Sequence, residues 1–330
     1  MRLSDYPELH PILYGLFLSM YLVTVLGNII MILAVSSDSH LHTPMYIFLS
    51  NLSLADICFI STTIPKMIAN IQTQSRLISY VGCLTQMLIL ILFGCMDGML
   101  LTVMAYDRFV AICHPLHYSA IMSPHFCAFL VLLSFVFSLL DSQMHNLIVL
   151  QFTYFKDVEI SNVFCDPSQL LNLACSDTIP NNVVMYFVGA ISGFIPISGI
   201  FFSYYKIVSS LLRLSSSGGK YKALSTCGSH LSVVCLFYVT ATGVYLGSAV
   251  SYSPRNCAVA SIMYTVVTPM LNPFIDSMKN RDISTTCHRH LIHDSRKYVP
   301  IHCFLSSQKD YEGNKYEGKN GSNHSIPRRY

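Results

Sequence analysis

The sequence predicts an all-α membrane protein: a seven-transmembrane-helix bundle with its N-terminus outside and its C-terminus cytoplasmic. Three observations lead there. Of the 330 residues, 52% are hydrophobic and only 11% charged, against about 25% charged in an ordinary soluble domain. Seven apolar runs are each long enough to cross a bilayer. The Lys and Arg residues gather on one side of those runs. A soluble enzyme, a nucleic-acid binder and a disordered chain are all disfavoured. The 12 Cys are scattered, and no C-x-x-C pair suggests a zinc or redox site.

A helix needs about 20 mostly apolar residues to cross the ~30 Å hydrocarbon core. Its backbone polar groups must also be satisfied internally, which favours helices or a closed barrel. The runs fall at 12–35, 45–68, 83–112, 126–150, 183–212, 228–250 and 258–278, too long for the alternating strands of a barrel. The first exceeds a signal-peptide core and lacks a small-residue cleavage site after it, so it is expected to be retained. Seven crossings put Arg108, Lys206, Arg213, Lys220, Lys222, Lys279 and Arg281 on the side of the C-terminal tail, the cytoplasmic side by the positive-inside rule. Residues 1–282 carry 12 basic against 13 acidic side chains, and residues 283–330 carry 8 against 4. The expected organisation is an extracellular N-terminus over 1–10, a seven-helix bundle over 11–282, and a disordered basic tail over 283–330 near anionic lipid. No repeat, inverted half or charged pore ring is visible, so a channel or transporter is a remote alternative.

Charge inside a membrane helix is costly and usually functional. Asp56 lies midway along the second span and Asp97 midway along the third. Two such carboxylates on adjacent helices share a proton or hold a cation; the plainer alternative is a solvated polar patch. Asp107-Arg108 closes the third span, eleven residues after Asp97, a separation of about 16 Å along a helix. Asp141, in the fourth span, has no partner evident from sequence. Pro196, Pro269 and Pro273 each remove a helical hydrogen bond and leave a bend.

A series of motifs follows the same order as the spans. Gly27-Asn28 is followed by Pro44-Met45-Tyr46, Leu49-Ser50-Asn51-Leu52 and Ala55-Asp56. Next come Met104-Ala105-Tyr106-Asp107-Arg108-Phe109-Val110-Ala111-Ile112-Cys113 and His114-Pro115-Leu116-His117-Tyr118. Ser203-Tyr204, Lys222-Ala223-Leu224-Ser225-Thr226-Cys227-Gly228-Ser229-His230-Leu231 and Pro269-Met270-Leu271-Asn272-Pro273-Phe274-Ile275 complete the set. Over about residues 10–282 the chain resembles an olfactory (odorant) receptor of the rhodopsin-like G-protein-coupled class, in the pattern of the mammalian family 7.

The resemblance implies a multi-pass cell-membrane receptor, not an enzyme. Its partners would be a small volatile odorant, a heterotrimeric stimulatory G protein that raises cAMP, and membrane lipid, with no nucleic acid. No cofactor is implied beyond a possible sodium ion at Asp56 and Asp97. Asp107 and Arg108 would form the cytoplasmic latch, Tyr204 would support the open arrangement, and Cys83 would be disulfide-bonded to Cys165. The ligand would lie in the outer half of the bundle, near Ile91, Gly94 and Cys95 of span three, and Val188 and Ser192 of span five. Tyr238, Thr242 and Tyr245 of span six would complete that pocket. Leu90 occupies the place where amine receptors carry Asp, so a cationic ligand has no counter-ion there.

Four departures bear on competence. Met1–His10 holds no glycosylation sequon; those present are at Asn51, Asn320 and Asn323, none facing the lumen. The second outer loop keeps Cys165 and Cys175 but lacks the family's earlier Cys near Tyr154-Phe155, leaving Cys175 free or paired with Cys257; Asn162 stands where the family has His. Asp276 ends the span-seven motif where relatives have Tyr. The 283–330 tail does not resemble theirs. The alternative function is therefore a receptor-like protein that is poorly delivered or defective in signalling.

Overall fold

A computed structural model describes residues 10–38, 41–73, 77–152, 157–159, 165, 179–213, 217–250 and 259–279. The described residues fall within one unit, Met1–Ser284, and residues 285–330 lie outside the described residues. This unit is built of long helices: α1 (His10–Ser37), α2 (Pro44–Thr73), α3 (Tyr80–Cys113), α4 (Pro124–Phe152), α5 (Ile179–Arg213), α6 (Ser217–Val250) and α7 (Thr268–Lys279). Six of them, α1 to α6, are long and apolar enough to cross a membrane. The seventh crossing is the helical run 259–279, in which a π-helical segment, Met263–Val267, leads into α7. Most of the helices outrun their apolar stretches at the ends. The largest excess is in α6, which begins at Ser217 rather than 228, because polar residues continue the helix where its backbone no longer needs hydrocarbon.

The bundle interior is an apolar core with polar residues set into it, and the outer faces are apolar. On α1 the buried residues Phe17, Thr24, Asn28, Met31 and Val35 recur at helical spacing and form one stripe. Ile12, Leu16, Leu26 and Leu33 stand exposed on other faces, as lipid-facing side chains should. α3 packs against α2, α4, α5 and α6 and is the central post. Its buried residues include Gln86, Asp97 and Asp107.

At one end a two-stranded antiparallel ribbon forms between β1 (Leu77–Ser79) and β2 (Asp157–Glu159), with Ile78 opposite Val158. Ser79 caps α3, its hydroxyl accepting from the Gly82 N–H at 3.1 Å. One turn on, Cys83 is disulfide-bonded to Cys165, with Cα atoms 5.6 Å apart. Gln86 completes the tie: its side-chain oxygen accepts from the Cys165 N–H at 3.3 Å, and its Nε2 donates to the Thr62 carbonyl of α2 at 3.2 Å. Arg108 lies toward the opposite end of α3.

Prolines open the backbone where helices meet. Pro273 has no N–H for the Pro269 carbonyl, and Asn28 Nδ2 of α1 donates to that carbonyl at 3.3 Å. A Cβ on Gly27 would lie 3.6 Å from the Pro273 ring, so α1 and α7 approach closely there. In α5 the Pro196 carbonyl accepts from the Thr102 hydroxyl of α3 at 3.1 Å.

Candidate functional site

Three sets of polar residues occupy the interior. The first is a junction of α1, α2, α3 and α7. Asn272 Nδ2 donates to both carboxylate oxygens of Asp56, at 3.2 and 3.0 Å. Asp97 faces the same carboxylate electrostatically. Asp56 is 1% exposed and Asp97 3%, so both are fully removed from water. Asn28 Oδ1, Asp97 Oδ1 and Asn272 Oδ1 are buried and lack hydrogen-bond partners among the described residues. Unsatisfied acceptors around paired carboxylates fit a small cation. Among the described residues no group of three or more His, Cys, Asp or Glu converges as a metal site. A sodium ion would thus rest on Asp56 and Asp97 supported by amide oxygens.

The second set is the Arg108 end. The Arg108 guanidinium lies 3.6 Å from Asp107 Oδ2, and Asp107 is 1% exposed. The Tyr118 hydroxyl, on a short helical turn after α3 (Tyr118–Ile121), donates to Asp107 Oδ1 at 2.8 Å. Burial first, then the Asp107 carboxylate, pushes the Tyr118 phenol above its usual range, so it remains a donor. Tyr204 of α5 points to α6, 2.8 Å from His230 Nδ1, with the two rings stacked. Tyr118 and His230 both stood inside quoted motifs, yet nothing in the sequence said that one closes on Asp107 or that the other holds Tyr204.

The third set is scattered through the half of the bundle toward the disulfide. Ile91 packs on the Tyr80–Cys83–Met87 cluster beside the disulfide. Gly94 is buried because an added Cβ would come within 2.7 Å of the Tyr264 hydroxyl and 3.3 Å of the Phe59 ring. Tyr264 sits on the π-helical segment, edge-on to Phe59 with centroids 5.3 Å apart. A π segment displaces the side chains after it, a common device at functional sites, and it has no signature in the sequence. Tyr238 turns its hydroxyl toward α3, where a Cβ on Gly98 would be 3.4 Å away. That hydroxyl is buried and without a partner among the described residues.

Cys95 of α3 and Ser192 of α5 both lie near a residue from a third helix, Asp141 of α4. Asp141 also faces His145 one turn on, 3.6 Å away, so the structure gives it the partners that the sequence does not. Val188 accepts from the Ser192 hydroxyl at 2.9 Å, and Thr242 is exposed on α6. The side chains of Tyr245 and Asp276, together with Cys175, Cys257, Asn162 and the 283–330 tail, lie outside the described residues. Asn51, the sequon asparagine within α2, donates to the Ile47 carbonyl at 2.8 Å inside its own helix.

Comparison with known proteins joins these sets to one family. The sequence model of the family described as "Olfactory receptor" matches residues 17–294. Olfactory receptor 7E178 of Mus musculus is 73% identical over 289 residues, 88% of this chain and 87% of its own length. Olfactory receptor 7E24 of Homo sapiens is 72% identical over 291 residues, 88% of this chain and 86% of its own. Olfactory receptor 7D4 of Homo sapiens is 60% identical over 289 residues, 88% of this chain and 93% of its own. The matched region takes in α1 from residue 17, the rest of the helical elements and all three polar sets, and the chain belongs to the olfactory receptor family of multi-pass, non-enzymatic G-protein-coupled receptors.

Proposed function

We propose that the chain is an odorant receptor that binds a small hydrophobic ligand in the half of the bundle toward the disulfide and couples to a stimulatory G protein at the Arg108 end, raising cAMP. The N-terminus lies outside the cell and the Arg108 end faces the cytoplasm. The observation that carries this reading is the pair of inter-element contacts at the Arg108 end, Tyr118 on Asp107 and Tyr204 on His230. Each joins two elements through a single tyrosine hydroxyl, that of Tyr204 also reaching the Cys227 carbonyl at 3.4 Å, which suits a bundle with two arrangements. A ligand acts by binding the open arrangement more tightly than the closed one. Tyr238, eight residues from His230 on α6 and about 12 Å along the helix, gives α6 a contact at the ligand end and a latch at the other. Apolar burial supplies most of the ligand affinity. The junction of Asp56, Asp97 and Asn272 holds a sodium ion in the closed arrangement.

Expression with an outer tag, surface staining and a cAMP reporter over an odorant panel tests this. An odorant-evoked rise in cAMP is expected from surface-exposed chain; ion flux without a G protein would contradict it. Asp276 favours a second reading, a receptor of low efficacy. A carboxylate cannot supply the aromatic packing and phenolic hydrogen bond of the Tyr found there in relatives. An Asp276→Tyr chain is expected to respond more strongly, and an equal response from both chains removes the second reading.

A further inference from the structure

Between α3, α4 and α5 lies a polar notch that neither the cation junction nor the Arg108 end uses. Asp141 and His145 stand one turn apart on α4, with both side chains 9% exposed. His145 Nδ1 is 2.9 Å from the Asp141 backbone carbonyl. A carbonyl only accepts, so Nδ1 carries a proton, and Nε2 is the ring atom left over. Among the described residues Nε2 has no partner, and it is directed at Gly189 of α5, where an added Cβ would sit 3.8 Å from it. One turn further along α5, a Cβ on Gly193 would meet nothing within 4 Å. The notch therefore has room, and a nine-tenths-buried polar side chain faces into it.

The Asp141 carboxylate lies near Cys95 and Ser192, but a thiol is a weak donor and the Ser192 hydroxyl donates instead to the Val188 carbonyl at 2.9 Å and the Gly189 carbonyl at 3.2 Å. A carboxylate has about four acceptor sites, and in the membrane an under-used one is costly. A ligand that brings a donor relieves that cost; a ligand with only a carbonyl does not. Two of the residues involved, Cys95 and Ser192, also belong to the pocket expected from the sequence.

Resting on the receptor function proposed above, we infer that this notch is the polar anchor of the ligand site and that it selects small apolar ligands carrying a hydrogen-bond donor, a hydroxyl or a protonated amine, received by Asp141 and His145. Leu90 leaves α3 without a counter-ion for an amine, and Asp141 supplies one from α4.

Cys95 is a free, half-buried thiol beside the notch and reports its occupancy. In membranes holding the full chain, alkylation of Cys95 by N-ethylmaleimide is followed by mass spectrometry in the presence of 1-octanol, octylamine, octanal or octane. The exposed Cys235 of α6 serves as internal reference. Octanol and octylamine are expected to slow Cys95 alkylation about tenfold relative to Cys235, equivalent to about 1.4 kcal/mol, while octanal and octane leave it unchanged. Asp141→Asn should abolish octylamine protection and weaken that of octanol; protection by octylamine alone assigns the site to cations. Gly193→Leu fills the open side without touching the polar groups and should remove protection by both, which keeps the test available if the Asp141 variant does not fold. Equal protection by all four compounds, or by none, overturns the proposal. The readout needs no G protein. A chain that signals to odorants without donor-selective protection loses only this site, and one that shows the protection without cAMP loses only the coupling.

Discussion

The Arg108 end and the half toward the disulfide treat their polar groups differently. At the Arg108 end, Asp107 receives both Arg108 and Tyr118, and Tyr204 meets His230. Among the described residues Arg108 Nε and His230 Nε2 are left without partners there. Toward the disulfide, the backbone is tied down by Cys83–Cys165 and Gln86, yet the side chains between the helices are left open. Among the described residues the Tyr238 hydroxyl is buried without a partner, and α5 presents Gly189 to His145. A switch needs contacts that can be exchanged, whereas a binding site needs a rigid rim around groups that await a partner.

Breaking the rim should have the largest effect. The disulfide spans 82 residues, and closing a loop of that length stabilises a fold by about 4 kcal/mol in the chain-entropy description. Cys83→Ser should therefore remove nearly all surface-exposed chain, measured by staining an outer tag. Breaking the switch spares the fold. Arg108→Ala should reach the surface at close to the parent level but lose cAMP output by a factor of ten or more, within coupling energies of about 1–3 kcal/mol. Gly94→Ala sharpens the contrast within the ligand half. Its methyl would come within 2.7 Å of the Tyr264 hydroxyl, and overpacking of this kind costs about 1–3 kcal/mol; a lower melting temperature of the solubilised chain checks it. The smallest effect belongs to Tyr118→Phe, which deletes one hydrogen bond to a carboxylate, worth about 1.5–3 kcal/mol where buried and less at a half-buried site. It should raise basal cAMP modestly without altering surface level.

The two ends also differed in how far the sequence disclosed them. Asp56, Asp97, Asp107 and Arg108 announced themselves because charge in an apolar run is expensive. The places of α1 to α5 and the run 259–279 followed from apolar length alone. What stayed hidden were relations between helices. Asp141 looked solitary because its partners are on α3 and α5 and one turn along α4; Tyr118 lay in a loop motif with nothing to connect it to Asp107. The π-helical segment at Met263–Val267 depends on backbone register, which no residue type there signals. The start of α6 at Ser217 escaped because only its later, apolar part shows the hydropathy by which a span is recognised.

The coupling between these two ends is tested most directly by odorant-evoked cAMP in cells lacking the α subunit of the stimulatory G protein, compared with the same cells after it is restored. A receptor working through the Arg108 latch should respond only after restoration, and an Arg108→Ala chain should stay silent in both. A response of equal size without the G protein, or one that Arg108→Ala leaves intact, would contradict the mechanism.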